Sequence, residues 1–139
     1  MPQRPLTDIV RATAVASVVS GAPSTAHALL TRRNVLASTR AAGTLLPGRR
    51  DRPGVIAGGV VHFAISAFWG LVLGWTLPRR HTAMWGGLAG LGIAAISLPA
   101  GGRQRPALAA LPQPPQWADN VAFGLVTGWL LSRSDAAPS

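Results

Sequence analysis

Apolar and polar residues are segregated along this chain rather than interleaved. Long runs without a charged side chain are separated by short blocks that carry arginine. The clearest run is GVIAGGVVHFAISAFWGLVLGWTL, Gly54 to Leu77. At about 1.5 Å of rise per residue it makes a helix of roughly 36 Å, enough to cross a hydrocarbon core of about 30 Å with some tilt. A soluble core helix is rarely that apolar on every face. Ala83 to Leu98 is a second run, with Trp85 near its start as an interfacial anchor; it is short for a span and borrows flanking residues. Trp117 to Leu131 is a third, in which Asp119 is the one charge. The pattern predicts an all-α, polytopic membrane protein. Its four transmembrane helices fall at about residues 9–30, 54–77, 83–99 and 117–132, in one compact bundle.

The first of these spans is broken by Gly21-Ala22-Pro23-Ser24-Thr25. It reads either as a helix kinked at Pro23, whose missing amide frees the carbonyl of Val19, or as a secretory signal ending near residue 28. In the first reading the Ser24 and Thr25 hydroxyls help to satisfy the freed groups. Residues 32–46 suggest a short interfacial helix, with Val35, Leu36, Ala42, Leu45 and Leu46 facing lipid and Arg32, Arg33 and Arg40 facing the head groups. Pro99 to Gln116 reads as a loop, with LPQPPQ extended. Residues 1–8 and 133–139 read as flexible tails of a single domain, 1–139.

Small residues recur at four-residue spacing inside the spans. Gly54, Gly58, His62, Ser66, Gly70 and Gly74 form one row; Gly86 and Gly90, then Gly124 and Gly128, supply others. Such rows let helices approach closely. A four-residue step overshoots a turn by about 40°, so the longest row winds round its helix and serves two neighbours. The strings GLVLGWTL, from Gly70, and GLVTGWLL, from Gly124, echo one another and raise the possibility of a duplicated hairpin.

Composition sharpens this picture. Charged residues are 12% of the chain against about 25% in an ordinary soluble domain. All thirteen basic residues are arginine, and the net charge is +9. Arginines at the ends of apolar runs meet anionic lipid head groups, and no nucleic-acid-binding module is present to gather them on one face. Eight of the thirteen fall in the first and third loops, which weakly favours a cytoplasmic position for those loops in a cell membrane. The absence of cysteine excludes disulfides and thiolate metal sites.

Ionisable groups within the spans are few and therefore informative. His27, His62 and Asp119 fall in the same half of the predicted bilayer, with Ser66 and Asn120 near them, while His81 falls on the other side. Together they form a candidate polar cluster for an ion, a proton or a head group. Each also has a purely structural alternative: His27 solvated at the interface, His62 hydrogen-bonded to a neighbouring helix, Asp119 complementing the N-terminus of its own helix. No nucleophile elbow, HExxH or phosphate loop is present, and no cofactor is implied.

The strings SGAPSTAHALLTRR, VVHFAISAFWG and LPQPPQWADNVAFG resemble segments of small multi-pass membrane proteins of actinobacteria. That resemblance implies four helices and no particular activity. The sequence-level expectation is a non-enzymatic membrane component acting through helix packing, in a homo-oligomer or beside a membrane partner. The alternative is a small transporter or proton-coupled carrier built on His27, His62 and Asp119.

Overall fold

The computed structural model describes residues 3–137, and every regular element in them is helical. In chain order these are α1 (Leu6–Val19), α2 (Ala22–Leu30), α3 (Ala37–Ala42) with a 3-10 turn at Gly43–Leu45, α4 (Val55–Thr76), α5 (Thr82–Gln104), α6 (Pro106–Ala109) and α7 (Gln113–Ala136). Two of them, α4 and α5, are long and apolar enough to cross a membrane, not the four expected. The shortfall has two causes. The first predicted span is cut into α1 and α2, and neither piece is long enough alone. The last, α7, has the length but carries Gln116, Asp119, Asn120, Arg133 and Asp135. In the most apolar windows of α4 and α5 only 22% and 28% of residues are buried, the reverse of a soluble core helix.

The break between α1 and α2 follows from two missing hydrogen bonds. Pro23 has no amide to offer Val19, and the next amide, that of Ser24, donates to the Asp119 carboxylate at 2.9 Å instead of to Ser20. With both bonds lost, the chain turns at Ser20 and Gly21, and Pro23 sits in the first turn of α2, where its lack of an N–H is tolerated. Proline is tolerated differently at Pro99, where a loop was expected. There α5 runs on to Gln104, losing one backbone bond, and α6 folds back so that Leu108 packs at Gly101. Of the prolines in LPQPPQ, Pro112 is extended, as the N-cap of α7, whereas Pro114 and Pro115 lie in its first turn.

Two antiparallel pairs make the bundle. α1 lies on α4, with Thr13 against Gly70 and Ile9 against Gly74. α5 lies on α7 with backbone touching backbone: Gly86 faces Gly124, Gly90 faces Asn120, and Gly128 faces Thr82. The core of Ile9, Ala12, Ala16, Leu73, Ile93, Phe123 and Leu131 joins the pairs where α1 meets α7. α4 and α5 barely touch. The centre of the bundle is thus the α1–α7 contact, and the α5–α7 pair packs more closely than the α1–α4 pair.

The expected interfacial helix is shorter than residues 32–46. Asn34 closes a turn, its Oδ1 accepting from the Leu36 amide at 2.9 Å, so α3 begins only at Ala37. Its buried residues are Ala41, Gly43 and Thr44, packed on α4, where Gly58 has no side chain to hold off the Thr39 carbonyl. Val35 and Leu36 are exposed, and the Arg105 Nε donates to the Thr44 carbonyl at 2.7 Å, tying the third loop to the first.

The presumed tails carry a clamp. The Arg4 side chain is only 4% exposed and grips Asp135 through Nε and Nη2, the latter at 2.8 Å. Its Nη1 donates to the carbonyls of Gly74 and Leu77 at 3.0 and 2.8 Å. The Gly74 carbonyl needs an outside donor because residue 78, its helical partner, is proline. Arg79 also pairs with Asp135, and residues 133–136 continue α7 rather than leaving it. Residues 1, 2, 138 and 139 of the expected tails lie outside the described residues.

Candidate functional site at a broken helix

The interruption of α1–α2 is bracketed by two of the ionisable groups of the apolar runs, His62 and Asp119. His62 Nε2 lies 2.7 Å from the carbonyl of Ser17, one of the last carbonyls of α1 and short of a helical partner. A carbonyl only accepts, so Nε2 is the donor, and the neutral imidazole keeps its lone pair on Nδ1. On the other side of the break, Asp119 takes the Ser24 amide and also accepts from the Ser24 hydroxyl. It acts as an N-cap for α2 supplied from a different helix. Because α7 starts at Gln113, Asp119 sits nearly two turns inside it and does not complement its own N-terminus. Each charge type faces the helix end that favours it: a potential imidazolium at the C-terminal end of α1, a carboxylate at the N-terminal end of α2.

Both groups line one cleft of about 810 Å³ between α1–α2, α3, α4 and α7. Ser17, Ser66 and Asn120 contribute polar atoms to its wall, and Trp69, Ile93 and Phe123 close its apolar end. Asn120 is oriented by a bond from its Nδ2 to the Gln116 carbonyl, at 2.9 Å. Val18, Leu29 and Phe63, all more than half exposed, mark where the cleft opens sideways.

His27 is not in this cleft. It lines a neighbouring cavity of about 360 Å³, together with Arg33 and Arg40. A bridge separates the two spaces: Gln116 Nε2 donates to Ser24 Oγ at 3.1 Å and to Ser38 Oγ at 2.9 Å, and all three residues line both cavities. Of the sequence-level cluster, the fold gathers His62, Ser66, Asp119 and Asn120, and it places His27 across this bridge.

Gln116, Ser38 and the Ser17 carbonyl were not singled out in the sequence. Nothing in a lone glutamine marks it as a bridge. A usable signal did exist in Pro23 followed by Ser24, since a proline-broken helix leaves groups that some other polar side chain must satisfy. The chain matches no protein-family model, no curated protein and no solved structure.

Proposed function

We propose that the chain is a multi-pass integral membrane protein that takes up a proton, or an ion coupled to one, at His62 and Asp119. In this reading α4 and α5 cross the bilayer, and α1–α2 and α7 complete the bundle beside them. The observation that carries the proposal is the discontinuous helix whose two inner ends meet His62 and Asp119 at the wall of one cleft. Half-helix ends and ionisable side chains at a cavity are the usual makings of a coupling site inside a membrane. The apolar, outward-facing surfaces of α4 and α5 support the membrane setting.

The alternative of a component acting through glycine-row packing is weaker on this geometry. Gly58 is filled by Thr39, Gly70 and Gly74 by α1, Gly86 and Gly90 by α7, Gly124 and Gly128 by α5, and Gly54 lies against Arg49. The rows serve the chain's own fold and leave little for a partner. No covalent chemistry is part of the proposal.

The test is proton entry into liposomes holding the purified protein and a trapped pH-sensitive dye, under an imposed pH gradient. The parent is expected to raise the rate of entry over empty liposomes. Asp119→Asn is expected to lower that rate about ten-fold or more, and His62→Asn to lower it as well, with both variants still folded. A parent protein indistinguishable from empty liposomes would refute the proposal.

A further inference from the structure

The smaller cavity, beyond the Gln116 bridge, has a charge pattern of its own. Arg33 and Arg40 line it with His27, and none of the chain's four carboxylates does. Among the described residues, neither guanidinium has a side-chain hydrogen bond or ion pair. Both arginines are exposed, and local structure fixes the backbone that carries Arg33. α2 ends in a turn with Arg32 at φ 53°, in which the Arg32 and Arg33 amides donate back to the Leu29 and Ala28 carbonyls. This doubly bonded helix stop leads the chain through Arg33 and Asn34 along the cavity.

The hydrogen-bond donors are also uncommitted. Asn34 uses its Oδ1 on the Leu36 amide, which leaves Nδ2 to donate. Ser38 Oγ accepts from Gln116, which leaves its own proton free. The wall therefore offers two arginines, an amide and a hydroxyl, with no competing anion.

We propose that this cavity binds a phosphate-type oxyanion. Arginine pairs with the tetrahedral oxygens through two parallel N–H donors, and the neutral donors of Asn34 and Ser38 complete the shell. The cavity touches Pro53, just before α4 begins, so if α4 crosses a bilayer the site lies at head-group depth. A lipid phosphate and a free phosphate ester present the same chemistry there. The proposal involves neither His62 nor Asp119 and stands or falls apart from the proton reading.

The protein in phosphatidylcholine nanodiscs is titrated calorimetrically with inorganic phosphate and, separately, with a short-chain phosphatidic acid. The double variant Arg33→Gln/Arg40→Gln is expected to bind about ten-fold more weakly or worse. Arg50→Gln/Arg52→Gln removes the same charge from the same loop but does not line the cavity, and it is expected to bind within about two-fold of the parent. Arg33→Lys/Arg40→Lys keeps the charge and is expected to fall between them, which separates lost recognition from lost folding. Loss of phosphate binding through the cavity pair assigns a free phosphate. A response to phosphatidic acid alone, lost through the same pair, assigns a lipid head group. Equal losses in the two glutamine pairs, or no response to either probe, would overturn the site.

Discussion

Gly124→Ala is expected to destabilise the protein by about 3 kcal/mol, at the upper end of what overpacking costs, and to lower Tm in detergent by about 10 °C. The new Cβ would fall on the Gly86 carbonyl and within 3.0 Å of the Gly90 amide nitrogen. These are backbone atoms of α5, so no rotamer change relieves the clash and the whole helix must retreat from α7. That retreat breaks the neighbouring approaches of Gly90 to Asn120 and of Gly128 to Thr82. Gly92→Ala, on the facing helix α5, is the control. Nothing lies within 4 Å of its Cβ position, and alanine is the better helix former, so Tm is expected to hold or rise. Thermal unfolding followed by circular dichroism distinguishes the two.

Asp135→Asn is expected to cost about 3–5 kcal/mol, because it strands the buried Arg4 guanidinium without its counter-charge. Arg79→Gln removes the other partner of the same carboxylate. Its side chain is 33% exposed and its loss is expected to cost below about 1 kcal/mol. Replacing both clamp members, Arg4→Met with Asp135→Leu, is expected to recover part of the loss and no more. The charge problem disappears, but the carbonyls of Gly74 and Leu77 still lose their donor. Denaturant midpoints for the three variants test this order.

The all-helical class and the apolar exteriors of α4 and α5 were legible in the hydropathy pattern, because both helices are long and apolar on their exposed as well as their buried faces. Helix ends were less legible. The prolines make 99–116 read as a loop with LPQPPQ extended, yet one missing amide is tolerated inside a long helix and costs nothing in a first turn. The place of the break in the first helix depended on Asp119 capturing the Ser24 amide, a contact between residues 95 positions apart. The Arg4–Asp135 clamp was hidden for a similar reason. Each residue alone looks like an ordinary tail charge, and only the fold brings α1, the end of α4 and the end of α7 to one point. Lengths of apolar chain point to four spans, but they take no account of how polar the first half of α7 is. His62 and Asp119 stood out in the sequence as rare ionisable groups, but their placement at opposite sides of one helix break required coordinates.

The central claim is a water-reachable cleft at His62 and Asp119 within a bundle whose outer face meets lipid. The chain has no cysteine, so single cysteines can be placed without background. Asn120→Cys lies in the cleft and is partly buried, whereas Phe68→Cys and Ile96→Cys lie on the outer faces of α4 and α5 at positions 59% and 67% exposed. In intact liposomes, a small charged thiol reagent is expected to label Asn120→Cys and to leave Phe68→Cys and Ile96→Cys unlabelled until detergent is added. Faster labelling at 68 and 96 than at 120, following bare surface exposure, would contradict the account.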